Sequence, residues 1–224
     1  DEMLTWPECD KIALSLPSLR IDNFSEELMQ KINRLKKSGL TFAPEAGSQR
    51  LRNVINKGLS EENILTGAMS AFTSGWNKVK LYFMLGLPLD TDEDIAGIGA
   101  LCNEIAKVYY ETVPKEKRNG RVQITASTSF FIPKPFTPFQ WDPQEEIQSV
   151  VEKQQNLKHS IRKRQIVYNW HESKVSFLEA VFARGDRRLG KVLLTAHQMG
   201  CKFDGWDETF SFERWMDVFK TCGI

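Results

Sequence analysis

No two of the four cysteines stand close enough to share a metal or redox motif. Cys9, Cys102, Cys201 and Cys222 are scattered through 224 residues. That spacing excludes a zinc ribbon and a thioredoxin-like pair. The three histidines, His159, His171 and His197, share no ligand spacing with one another or with the cysteines, so no metal site is expected from them. A surplus of charge is missing too. Thirty Lys and Arg face 29 Asp and Glu, a net charge of +1. This excludes a strongly basic nucleic-acid module or an acidic disordered tail as the whole molecule. No apolar run exceeds strand length, so no segment is expected to span a bilayer. Scattered cysteines without a signal peptide read as cytoplasmic and reduced. The chain is also short of the roughly 250 residues of a complete (β/α)8 barrel. It opens on Asp1 without Met and reaches an apolar run, residues 12–16, almost at once. A processed start and a chain cut from a longer protein both fit.

What is present is an alternation of strand-like and helix-like segments. Residues 12–16 read as a strand. Residues 24–37 read as a helix, with Ser25 as cap, Glu26 and Glu27 in the first turn and Lys36 and Lys37 in the last. Residues 40–43 read as a short buried strand, and 49–57 as a helix capped by Ser48. A helix over 60–74 buries Ile64, Leu65, Ala68 and Phe72. Residues 78–85 form a strand. Thr91 and Asp94 resemble a capping box that starts a helix to about residue 110. After a polar loop over 113–120, residues 121–131 alternate with period two. Val122, Ile124, Ala126, Thr128 and Phe130 share one face, and Gln123, Thr125, Ser127 and Ser129 the other.

Strands alternating with helices predict βαβ units and a parallel sheet. The hydroxyl-rich second face of 121–131 suits a cavity wall better than a helix-packed layer. An open barrel is therefore favoured over a doubly wound sheet. After Phe131 the segment IPKPFTPFQWDP is extended and rigid. A polar helix over 142–164, a final strand over 165–170, and helices over 173–184, 189–199 and 212–222 follow. Residues 1–140 thus form the βα part and 141–224 a mainly helical extension.

In parallel βα architectures the active site lies at the C-terminal ends of the strands. Three strand ends carry unusual residues. In LTFAPEAGSQRLRNVINKG, Glu45 can accept hydrogen bonds from ribose hydroxyls or an amine. Gly47 lets a ligand approach the backbone, and Ser48 opens a helix suited to a carboxylate or phosphate. Arg50 and Arg52 add charge. The alternative is that Glu45 pairs with an arginine and Ser48 only caps. In KVKLYFMLGLPLDTDEDI, Gly86 can admit a flat ring. Asp90, Asp92, Glu93 and Asp94 read as helix-capping acids. In STSFFIPKPFTPFQW, Lys134 is held between two prolines, to meet an anionic ligand or simply solvent. RGD at Arg184–Asp186 reads as a helix boundary. Lys158, Arg162, Lys163 and Arg164, with Arg184, Arg187, Arg188 and Lys191 and the rings of Tyr168 and Trp170, form either an RNA-contacting surface or a solvated helix face.

At these segments the chain resembles the radical S-adenosylmethionine (radical SAM) enzymes. The likeness is to the branch with methylthiotransferases, oxygen-independent coproporphyrinogen dehydrogenase and cobalamin-domain proteins. PEAGSQRLRNVINKG is similar to that branch's fourth-strand signature. YFMLGLPLDTDEDI is similar to its fifth-strand signature, usually Gly-Leu-Pro-Gly-Glu-Thr. Here Leu89 replaces the second Gly, Asp90 the Glu, and Ala46 a commoner Ser in the first motif. SLPSLR, FIPKPFTPFQW and ARGDRRLGKVL resemble an uncharacterised group with an N-terminal cobalamin-binding-like domain.

The resemblance implies part of a (β/α)6 partial TIM-like barrel, about strands three to six. It implies a parent enzyme that reduces S-adenosylmethionine with a [4Fe-4S] cluster to form a 5'-deoxyadenosyl radical. On that pattern Glu45 and Ser48 contact the ribose or amino acid part, at the turn opened by Gly47. Arg50 pairs with the carboxylate, Leu85 and Gly86 pack on the adenine, and Lys134 lies near the methionine or substrate end. The family's CxxxCxxC motif is absent from this sequence. The chain alone is therefore expected to bind no cluster and cleave no S-adenosylmethionine. Cobalamin stays open as a further cofactor of the parent, and so does the substrate. Two other readings compete: a non-enzymatic RNA-binding module built on the basic segments after Lys158, and a phosphate-binding α/β enzyme using the helix start at Ser48. An incomplete barrel also exposes apolar strand edges, so either a homodimer across that edge or poor solubility is expected.

Overall fold

The computed structural model describes residues 40–161 and 163–224. The strand expected over 12–16 and the helix expected over 24–37 lie outside the described residues, as do Cys9 and Arg162. The described residues divide into two compact units. One holds residues 40–130 with Gln148–Trp170, and the other Phe131–Ile147 with His171–Ile224.

The first unit is a four-stranded parallel sheet in the sequential order β1 (Leu40–Glu45), β2 (Lys78–Leu85), β3 (Gln123–Phe130) and β4 (Ile166–Trp170). Between β1 and β2 come α1 (Gln49–Val54) and α2 (Glu61–Thr73), and between β2 and β3 comes α3 (Asp92–Thr112) with a short 3-10 turn at Lys115–Lys117. Helix α4 (Ile147–Ser160) precedes β4.

Alternation along the strands sorts the two sheet faces. Phe42, Val79, Leu81, Phe83, Leu85, Ile124 and Ala126 are buried on one face. They form a single core with Ile64, Ala68 and Phe72 of α2, Ile98, Leu101 and Ile105 of α3, and Val150 and Leu157 of α4. Right-handed crossovers in a sheet of monotonic strand order place successive helices on one side. The other face carries Thr41, Lys80, Met84, Thr125, Ser127 and Ser129, all half-buried, and the more exposed Tyr82 and Asn169. Register sets Lys80 beside Thr125 and Tyr82 beside Ser127, with Ser127 beside Asn169.

Local chemistry explains the element ends. Ser60 and Asn63 form a reciprocal capping box on α2, and Thr91 and Asp94 form the expected one on α3. Helix α1 stops at Val54, three residues before the expected end, because Asn56 and Gly58 turn left-handed at φ 53° and 62°. Helix α4 starts at Ile147, not 142, and ends at Ser160, not 164. Strand β3 is two residues shorter at its start than the alternation suggested.

In the second unit α5 (Ser173–Arg184), α6 (Leu189–Gln198) and α7 (Phe212–Cys222) close around Leu178, Val192, Ala196, Trp215 and Val218. Trp215 donates to Asp204 at 3.2 Å, and Gly223 ends α7 at φ 75°. The RGD tripeptide is a helix boundary: Gly185 follows α5, and Asp186 accepts from Arg188. Among the described residues no helix is long and apolar enough to cross a membrane.

One cross-strand contact can be tested directly. The hydroxyls of Thr128 and Tyr168 meet at 2.9 Å, with Thr128 buried. Burial pushes the Tyr168 phenol up to about 12, against the opposing hydrogen bond from Thr128. A pKa raised on folding contributes stability that is complete below the unfolded value of about 10 and is lost as pH rises through the folded one. Tyr168→Phe is expected to cost about 1 kcal/mol at neutral pH in denaturant unfolding. It should also remove one late phenol from a spectrophotometric alkaline titration; an unchanged titration curve would refute the assignment.

Candidate functional site

The turns after β1 and β2 meet at the C-terminal edge of the sheet. Strand β1 leaves its regular register between Phe42 and Glu45, and Glu45 takes a left-handed φ of 67°. That conformation swings the half-buried Glu45 carboxylate to the strand tip, where Oε1 accepts from Lys57 Nζ at 3.1 Å. Both members of the pair lie within the segment PEAGSQRLRNVINKG. The partner of Glu45 is thus a lysine twelve residues on, and not the arginine weighed from sequence.

Gly47 is corrected. A Cβ built on it would stand 2.3 Å from Ile98 N and 2.4 Å from Asp94 O. The space its missing side chain leaves is filled by the backbone of α3, and does not serve a ligand's approach. Gly97 answers it from the helix, with its own Cβ position 3.1 Å from Gly47 C. Two glycines therefore let the β1 turn and the start of α3 touch backbone to backbone.

Ser48 and Arg50 converge on Asp94. Ser48 Oγ accepts from Leu51 N at 3.0 Å, which caps α1, and donates to Asp94. Arg50 donates to both oxygens of Asp94, through Nε at 3.3 Å and through Nη2, and also gives Leu89 O a bond of 2.8 Å. Asp94 accepts from Thr91 N and Oγ1 as well. Burial works to raise the Asp94 pKa, but the bonds from Arg50, Ser48 and Thr91 outweigh it and hold the carboxyl below its usual range. Hydrogen bonding to Asp94 raises the Arg50 pKa in turn. The expected free guanidinium is engaged by its own protein.

Arg52 is fully buried and donates to Leu59 O, Ala46 O and Gly47 O at 3.0–3.2 Å. Burial lowers its pKa, with Glu61 opposing. It holds the β1 turn from beneath by satisfying carbonyls that the turn leaves unpaired. Leu85 is buried at the end of β2, and Gly86 follows at φ 75° with its N–H donated to Asp90 Oδ2 at 3.0 Å. Asp90 Oδ1 accepts from Lys153 Nζ of α4 at 2.6 Å. Leu89, where the resemblance places glycine, sits at φ 66° and is 74% exposed.

Glu45, Gly47, Ser48, Arg50, Leu85 and Gly86 are thus brought together. Lys134 belongs to the second unit, where its Nζ pairs with Glu179 of α5 at 2.8 Å. The basic run splits in the same way. Lys158 lies over the Trp170 ring at 4.9 Å in the first unit, while Arg184 donates to Asp142 O in the second. Lys57 and Lys153 are contributors that the sequence reading does not name, while Arg52 reads only as nearby charge and Asp90 only as a helix-capping acid. Lys57 lies within the segment PEAGSQRLRNVINKG on which the resemblance rests.

No protein-family model matches the chain. An uncharacterized protein of Methanocaldococcus jannaschii is 36% identical over 182 residues, which are 81% of this chain and 37% of that protein. The chain spans little more than a third of the relative it matches.

Two substitutions should move stability in opposite directions. Gly47→Ala forces apart the β1 turn and α3 and is expected to cost at least about 2 kcal/mol. Leu89→Gly relieves a left-handed non-glycine residue whose side chain is exposed, with an expected gain of about 0.5–1 kcal/mol. Urea midpoints at constant m-value read both, and a stable Gly47→Ala variant would contradict the close contact.

Proposed function

We propose that this chain forms the S-adenosylmethionine side of a radical SAM enzyme, as part of a partial (β/α)6 barrel. The observation that carries the reading is the placement of the two motifs resembling the family's strand-end signatures. They end adjacent, hydrogen-bonded parallel strands, and Asp94 ties their turns together. Sequential strand order with the helices on one face supports a barrel-type winding, since a doubly wound sheet requires a reversal of strand order.

The donor groups fit an adenosyl ligand in part. Among the described residues Glu45 Oε2 accepts no hydrogen bond, so it is available to ribose hydroxyls. Gly86 presents backbone without a side chain against which a flat ring can lie. Leu85 supports that backbone from the core, and Ser48, Gly47 and Arg50 shape the neighbouring turn. S-adenosylmethionine bound there supplies the adenosyl group; the residues named here bind and orient it. The hydroxyls of Thr125, Ser127 and Ser129 on the open sheet face, with no partner among the described residues, are proposed to face the substrate.

Among the described residues the thiols do not gather into a ligand set for a [4Fe-4S] cluster. Cys102 is buried in α3, and burial pushes its thiol up to about 12. Cys201 and Cys222 lie in the second unit, and no group of three potential ligands occurs among the described residues. In this proposal the cluster that cleavage requires takes its ligands from elsewhere in the parent protein. The RNA-binding alternative rests on one contact, the cation–π pair of Lys158 with Trp170 on β4, next to the exposed Lys163 and Arg164.

The test uses the polypeptide that carries this chain together with its cluster-binding segment. Reconstituted without oxygen and reduced, it is expected to release 5'-deoxyadenosine from S-adenosylmethionine. Glu45→Ala should lower that rate at least about tenfold, roughly 1.4 kcal/mol of transition-state stabilisation. A protein with a full cluster complement that yields no 5'-deoxyadenosine would sink the proposal. RNA binding that weakens steeply with salt and is lost on removing Lys163 and Arg164 would favour the alternative.

A further inference from the structure

The loop between β2 and α3 is held from two directions. On one side Arg50 reaches across from α1 to Leu89 O and Asp94. On the other, Lys153 reaches from α4 to Asp90, 63 residues away in sequence. The second contact is the more enclosed. The Asp90 side chain is 6% exposed and that of Lys153 15%, at 2.6 Å. The remaining Asp90 oxygen receives the N–H of Gly86 at 3.0 Å. One carboxylate thus joins the strand-tip amide of β2 to a helix that enters the chain sixty residues later.

Two further facts give the contact direction. Gly86 and Leu89 both have left-handed backbone, at φ 75° and 66°. Leu89 resists that conformation, so the loop needs outside restraint to keep its path. Lys153 in turn is fixed by its helix. Val150, Gln154 and Leu157 form the buried stripe of α4, and Val150 and Leu157 belong to the core beneath the sheet. Lys153 stands beside that stripe, so its ammonium follows the seating of α4 on the sheet.

We propose that Lys153 is a positioning residue for the adenosyl ligand. Through Asp90 it fixes the backbone at Gly86, and so sets the affinity of the β2 tip for the flat ring. The ligand half of the inference rests on the function proposed above; the backbone half does not. A lysine is suited to the task because it neutralises a carboxylate that is nearly out of water, and Asp90 then keeps full strength as an acceptor for Gly86 N–H.

The test compares wild type with Lys153→Met, Lys153→Arg, Asp90→Ala and the exposed control Lys163→Met. Amide hydrogen exchange of ligand-free protein is read first. Exchange at Gly86 should rise at least tenfold in Lys153→Met and Asp90→Ala, with the amides of β3 unchanged as a check on global folding. Lys153→Arg should restore slow exchange, and Lys163→Met should leave it as in wild type. Unchanged Gly86 exchange, or acceleration spread equally over β3, would overturn the inference. Calorimetric titration of the cluster-bearing polypeptide with S-adenosylmethionine is read second. A tenfold or greater loss of affinity in Lys153→Met, with arginine rescue, supports the positioning role, and equal affinity overturns it. If wild type itself binds no S-adenosylmethionine, the functional proposal falls with the ligand half, and the exchange data still decide the backbone half.

Discussion

Asp94 is the joint of the first unit. It is almost wholly buried, yet it is held ionised by Ser48, Arg50 and Thr91. A carboxylate in such a place survives only when its oxygens are satisfied. Here they are satisfied by groups from three sources: the cap of α1, the first turn of that helix, and the cap of α3. The same acid therefore starts α3, closes the β1 turn and restrains the loop after β2. If it were neutral and unpaired, the two strand tips would lose their common reference.

Around that joint the division of labour is clear. Arg52 satisfies carbonyls from below, and Gly47 with Gly97 removes the side chains that would keep strand turn and helix apart. Glu45 and Lys57 close the outer rim. The charged residues of this region mostly serve one another. What these contacts leave unused are one carboxylate oxygen of Glu45 and the hydroxyls of Thr125, Ser127 and Ser129 on β3.

The sequence made the sheet legible because burial alternates cleanly in β2 and β3. Helix α2 was legible from the apolar stripe of Ile64, Leu65, Ala68 and Phe72, and α3 from Thr91 standing three residues before Asp94. The start of α4 was missed because the polar run 142–146 has helical composition, although the helix begins only at Ile147. Of the site, Glu45 and Gly86 were visible as oddities at strand ends. The Asp94 cap was visible, but its second role was not, because nothing local to residue 94 reveals Ser48 and Arg50. Asp90 and Lys153 were hidden for the same reason: their partnership exists only once α4 is laid on the sheet. Gly47 was noticed for the right property, an absent side chain, but which neighbour fills that space depends on tertiary packing.

The glycine-to-glycine contact has a mechanical meaning. Side chains between packed elements act as soft spacers that absorb small shifts by changing rotamer. None stands between Gly47 and Gly97. Helix α3 runs for 21 residues, about 32 Å, and near its far end Tyr109 is bonded to Gly120 O below the sheet at 3.0 Å. The helix is thus bonded near its far end at the opposite edge of the sheet and seated without intervening side chains on the β1 turn. The position of α3 relative to the β1 turn is therefore set by backbone contact and not by side-chain rotamers.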